Sequence, residues 1–126
     1  MLPVETVIGE SGLSHQGDKL RLDARLPWYR SLPLSTVEVA ALAVDGTPVD
    51  LSEVRFELGG KGWSLAELRD CTNDFWYVLD SAHLVWPAGG IDPAIGHEVS
   101  LTIAVSPPYI PGMRRENSQT ETLSIH

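Results

Sequence analysis

The chain has 126 residues, 43% of them hydrophobic and 21% charged, with a formal net charge of −8. That length predicts one domain over residues 1–126, able to bury a core without disulfide staples. The acidic balance excludes a phosphate-backbone binder, which needs clustered Lys and Arg, and disfavours an anionic membrane surface. No apolar run approaches a bilayer span. The segment Met1–Val7 lacks the basic start and apolar core of a signal peptide. A single cysteine, Cys71, excludes an internal disulfide framework. Together these features predict a cytoplasmic protein.

Val4, Thr6 and Ile8 alternate before Gly9, and Ser11–Asp18 reads as a flexible lead-in. Leu20, Leu22, Ala24 and Leu26 then alternate with Arg21, Asp23 and Arg25, the period-2 pattern of a half-buried strand. The central stretch Arg25–Val37 is rich in Pro, Leu and aromatics where a solvent loop would carry Gly, Asn, Asp and Ser. Its side chains Trp28, Tyr29, Leu32 and Leu34 need cover, either from their own domain or from another chain. Val37–Val44 is almost uncharged and predicts a strand covered on both faces. Asp45-Gly46 signals a tight hairpin, and Pro48 makes the return strand an edge.

Val54, Phe56 and Leu58 give another half-buried strand, ended by Gly59-Gly60. Ser64-Leu-Ala-Glu67 has capping-box spacing and predicts one short helical turn. Phe75–Leu79 and Ala82–Trp86 read as strands around Asp80-Ser81, with Pro87–Pro93 as a turn cluster. Val99, Leu101, Ile103 and Val105 alternate clearly. Pro107–Gly112 forms a second rigid loop leading through Arg114–Asn117, and the chain ends on a strand-like Thr122–Ile125. Many short strands with frequent turn signals predict an all-β antiparallel sandwich or jelly roll.

The search for chemistry finds little. His15, His83, His97 and His126 form no His-x-His or His-Glu-x-x-His pair, so spacing supports no metal site. His97 reads as the start of a strand near the surface. Cys71 lies among Asp70, Thr72, Asn73 and Asp74, whose carboxylates disfavour a nucleophilic thiolate. No nucleophile elbow or P-loop is present, and Gly59–Gly62 lacks the setting of one. No catalytic residue and no metal ligand is expected in this chain. Trp63, Trp76 and Trp86 allow two readings, sugar stacking or core filling. Phe75 and Trp76 are assigned to the core, and Trp63 is left open because it follows a glycine turn.

One longer pattern runs through the chain. It comprises Arg25-Leu-Pro-Trp-Tyr-Arg-Ser-Leu-Pro-Leu-Ser35, Val37-Glu38, Val44-Asp-Gly46 and Val54-Arg-Phe56. It continues with Gly62–Leu68, Trp76, Pro87–Ile91, Gly96–Val99 and Tyr109-Ile-Pro111. This order resembles the small β subunit of bacterial C-glycoside deglycosidases. The Arg-Leu-Pro-aromatic-Tyr-Arg block is its specific part. Ile110 and Pro107-Pro108 depart from the family's usual methionine and serine.

The resemblance implies a β-sandwich paired with a larger TIM-barrel α subunit that holds a divalent metal, usually manganese. The complex then cleaves the C–C bond between a 3-oxo sugar and an aromatic aglycone. The C3 ketone acidifies the C2 proton, a base removes it, and the aglycone carbon leaves by elimination. This chain would hold no cofactor, stabilise α and shape its active-site entrance. Partner-facing residues are expected at Trp28, Tyr29, Arg30 and Leu32, and at Tyr109 and Arg114, with Trp63 near the substrate entrance. The rival reading is a stand-alone carbohydrate- or small-ligand-binding sandwich using exposed tryptophans.

Overall fold

Alternating apolar residues leave each strand one face to bury, and two sheets meet over those faces. The structure, a computed structural model, describes residues 6–126. Expectations placed on Met1–Glu5, Val4 among them, lie outside that range. The strands are β1 (Ile8–Gln16), β2 (Lys19–Ala24), β3 (Leu32–Pro33), β4 (Val37–Val44), β5 (Thr47–Pro48) and β6 (Arg55–Leu58). They continue as β7 (Lys61–Ser64), β8 (Phe75–Trp76), β9 (Ala82–Pro87), β10 (His97–Val105) and β11 (Arg115–Leu123). One sheet runs β1-β2-β9-β6-β7, the other β11-β10-β4-β5, and β3 pairs with β8 alone. Among the described residues every pairing between two of these strands is antiparallel. The all-β sandwich expected from the sequence is the observed fold.

Leu20, Leu22 and Ala24 of β2 face Val99, Leu101 and Ile103 of β10 through one shared core. Phe56 and Trp76 are fully buried and meet edge to face, with ring centroids 5.4 Å apart. Such a pair contributes about 1 kcal/mol beyond its buried area. Asp45 and Gly46 both take positive φ, 52° and 80°, and join Val44 to Thr47 as predicted. Pro48 lies on the edge strand, where no neighbour needs its missing N–H. The β1 edge is shielded by the C-terminus, where Ile125 bridges Leu13 and His126 accepts from the His15 amide at 3.0 Å.

Several expectations need correction. Ser11–Gln16 is strand, because its polar side chains lie on a sheet edge that hydrogen-bonds to β2. β4 is buried mainly on one face, with Glu38 and Ala41 exposed. Its inward phase changes from Val39 to Leu42 where its register with β10 shifts. The strand expected at Phe75–Leu79 stops after Trp76 and gives way to a turn in which the Asp80 amide donates to the Tyr77 carbonyl. Phe75, assigned to the core, is 43% exposed because β8 alternation turns it outward while Trp76 goes in. The final strand starts at Arg115, hidden in the sequence because only Asn117 along it is buried. The capping box at Ser64 and Glu67 forms as expected, and two further 3₁₀ turns occur at Leu34–Thr36 and Leu51–Glu53.

Candidate functional site

The two rigid loops of the sequence meet in space. Pro27, Trp28 and Leu32 of the central loop are buried, which pins its base to the core. Trp28 Nε1 donates to the Tyr109 hydroxyl at 2.6 Å, joining residues 81 positions apart. The Arg30 guanidinium lies 5.0 Å from the centre of the Tyr109 ring, a cation–π contact. Tyr29 packs against Trp28 at 5.0 Å and remains 52% exposed. The Tyr109 hydroxyl beside it pushes the Tyr29 phenol above its ordinary value, and partial burial adds to this.

A third segment flanks this pair of loops. Residues Leu32 and Pro33 pair with Trp76 and Phe75, and the Val78 amide donates to Ser31 Oγ at 3.0 Å. Arg25 donates to the carbonyls of Leu79 and Val78 and to Ser81 Oγ, holding the turn that follows. Phe75, Tyr77 and Leu79 consequently project outward beside the central loop, all substantially exposed. Sequence reasoning missed these three, although Tyr77 and Leu79 stand at the same alternation phase as Phe75.

The expected site residues therefore divide. Trp28, Tyr29, Arg30 and Tyr109 come together. Leu32 is fully buried and offers a partner no surface, because its pairing with Trp76 turns it into the core. Trp28 likewise acts as the buried support of the loop. Arg114 is exposed and bonds Glu116 and Glu38, bridging the ends of β11 and β4. Trp63 sits half-buried on β7 and packs against Phe56, with centroids 6.4 Å apart. The reading that requires exposed tryptophans finds none: Trp28, Trp76 and Trp86 are buried and Trp63 is half-buried.

The candidate nucleophile and histidines have structural surroundings. Burial and the carboxylates of Asp74, Glu67 and Asp70 push the Cys71 thiol above its ordinary value. His97 does begin a strand, but it is buried, held between Asp45 and the Asp92 carbonyl. His83 accepts a hydrogen bond from Arg21 and is held below its usual value, by burial first and by that guanidinium second. His15 and His126 line the β1 edge. Among the described residues no group of three or more His, Cys, Asp or Glu is placed to hold a metal ion. Among the described residues no helix is long and apolar enough to cross a membrane.

Residues 11–109 match the family model described as C-glycoside deglycosidase beta subunit. A 3'-dehydrocarminate deglycosidase beta subunit from a Microbacterium species is 43% identical over 98 residues, covering 78% of this chain and 74% of its own. A C-glycoside deglycosidase beta subunit of Microbacterium trichothecenolyticum is 34% identical, covering 99% of this chain and 90% of its own. One from Arthrobacter globiformis is 33% identical, covering 84% and 81%. Each of these names describes one subunit of a multi-subunit enzyme. The chain matched by that model over most of its length, and by these relatives over three quarters or more, belongs to the C-glycoside deglycosidase beta subunit family.

Proposed function

We propose that this chain is the accessory subunit of a heteromeric C-glycoside deglycosidase that separates a 3-oxo sugar from an aromatic aglycone. In this reading a larger TIM-barrel partner carries the divalent metal, manganese, and the base that takes the C2 proton. This chain stabilises the partner and shapes its active-site entrance. The observation that carries the reading is the exposed aromatic platform of Tyr29, Arg30 and Tyr109, standing on a base buried through Trp28 and Leu32. Tyr and Arg are enriched at interface centres, and a loop already fixed in place loses little entropy on docking.

Phe75, Tyr77 and Leu79 extend the docking surface, because their segment is tied to the same loop. The test is Tyr29→Ala with Arg30→Ala. Both side chains are exposed, so the melting temperature of the isolated chain should stay nearly unchanged. Affinity for the partner should fall by at least ~2 kcal/mol, the hot-spot scale. Unchanged affinity would remove this loop from the interface. Elemental analysis of the chain purified alone should find no stoichiometric manganese, zinc or magnesium. One tightly held equivalent would return metal chemistry to this subunit.

A further inference from the structure

The outer face of the five-stranded sheet carries a second, separate constellation. In register across β2, β9 and β6, Arg21 stands beside Val85 and Val85 beside Arg55, with His83 and Glu57 paired in the next row. A depression of about 360 Å3 opens there. It is lined by Arg21 and His83 from the β2–β9 side and by Arg55, Glu57, Leu58 and Lys61 from the β6–β7 hairpin. That volume falls within the range of about 300–1,000 Å3 common for ligand pockets. Three cations and one carboxylate thus face one space, in a chain whose net charge is −8. Asp23 is no part of it: the residue is 3% exposed, accepts from the Ser11 amide and lines a different depression.

The cations differ in how far they are already satisfied. Lys61 donates to Asp74 at 2.9 Å, which neutralises it locally. Arg21 makes one hydrogen bond, at 3.1 Å to His83 Nδ1, and no ion pair. Arg21 can only donate, so His83 Nδ1 is the acceptor, which fixes a neutral imidazole and leaves Nε2–H as a further donor. Burial and the Arg21 charge, which hold His83 below its usual value, agree with that tautomer. Among the described residues Arg55 makes no hydrogen bond or ion pair. Glu67 lies within electrostatic reach of Arg55, but its carboxylate is committed to the Ser64 amide at 2.8 Å. Gly62 seats the Arg55 guanidinium against the hairpin, since a Cβ there would lie 2.6 Å from its Nε.

Two guanidiniums without a carboxylate therefore face Glu57 alone, a balance of one positive charge. A monoanion meets that balance, whereas a second negative charge would find only Glu57 to repel it. Guanidinium groups match the planar, two-oxygen geometry of a carboxylate, and half-buried Leu58 beside bare Gly59 and Gly60 gives an organic body room to lie. The net charge of the chain does not forbid this, because salt screens it beyond roughly 8 Å. We propose that this depression is a binding site for a small organic monocarboxylate, held by Arg21, Arg55 and the Nε2–H of His83. The inference concerns the full chain by itself, goes beyond the accessory role and does not rest on it.

The test is an amide-shift titration of the full chain at neutral pH with benzoate, beside benzamide as its uncharged isostere and inorganic phosphate as a more highly charged oxyanion. Saturable shifts at Arg21, Arg55, Gly60 and His83 are expected with benzoate, and binding about tenfold weaker with benzamide. Arg55→Gln, at an exposed residue, should weaken benzoate binding about tenfold. Gly62→Ala should weaken it too, although it removes no charge, because its methyl would push the Arg55 guanidinium from its seat. Amide dispersion reports an intact fold in both variants. Equal binding of benzamide would remove the need for charge and overturn the proposal. So would tighter binding of phosphate, saturable shifts confined to other surfaces, unchanged benzoate affinity in both variants, or no saturable shift with benzoate.

Discussion

His97 lies between two acceptors, Asp45 Oδ2 and the Asp92 carbonyl, each at 2.6 Å. An imidazole donates from both nitrogens only when protonated. The hydrogen bond to Asp45 raises His97 above its ordinary 6.5, and the same bond lowers Asp45 below its ordinary 3.8. The histidine contributes stability that is complete below the unfolded value and lost as pH rises through the higher folded one. The aspartate contributes stability that is present above its unfolded value and lost as pH falls through the lower folded one. Thermal melts should therefore decline as pH climbs above 6.5, and His97→Gln should flatten that limb. Equal slopes in both proteins would refute the assignment. Cys71, with its thiol raised, should react with iodoacetamide at neutral pH more slowly than an unperturbed thiol. A faster rate would show a thiolate that its acidic surroundings do not predict.

Pairing between β1 and β2 is regular from Leu13 opposite Leu22 to Gln16 opposite Lys19, and resumes at Ile8 opposite Ala24. Between these points Gly9–Gly12 bulge around Asp23, whose carboxylate takes the Ser11 amide. Gly9→Ala would drive a methyl into that carboxylate and should cost about 1–3 kcal/mol in urea unfolding. Combined with Asp23→Ala the cost should be less than the sum, because the second change removes the obstacle. Strict additivity would mean that the bulge relaxes without contact. Tyr109→Phe removes the acceptor of Trp28 Nε1 and should destabilise the chain by about 1 kcal/mol or more. No change in unfolding free energy would mean that the two loops are not energetically joined.

Across the whole molecule, the sandwich divides one amphipathic loop between two tasks. Trp28 and Leu32 face inward and hold it, while Tyr29 and Arg30 face outward on that support. Trp28→Ala should therefore destabilise the isolated chain by about 3–5 kcal/mol, as large-to-small core changes do. Tyr77→Ala, at a residue 60% exposed, should leave its melting temperature nearly unchanged and weaken partner association. A folded, partner-competent Trp28→Ala chain beside an unfolded Tyr77→Ala chain would reverse this division. The five-stranded sheet makes a comparable division: β2, β9 and β6 send Leu22, Leu84 and Phe56 into the core and charged partners outward.

The sequence by itself determined the sandwich, since period-2 runs at β2, β6 and β10 leave each strand a single face to bury. It determined the Asp45-Gly46 hairpin, which needs two positive φ angles, and the Ser64 capping box, which is closed by neighbours in the chain. The family was legible too, because the Arg25–Ser35 block and its companions occur in order. Only the tertiary structure decided what depends on pairing between distant segments. β11 carries almost no apolar alternation, and its place comes from hydrogen bonding to β10. Trp28 could have faced a partner or its own core, and the Tyr109 hydroxyl, 81 residues away, helps fix it inward. Phe75 turned outward because β8 pairs with β3, a register that local composition does not encode. The charged rows of Arg21, Asp23, His83, Arg55 and Glu57 are scattered in sequence, and only strand order sets them side by side.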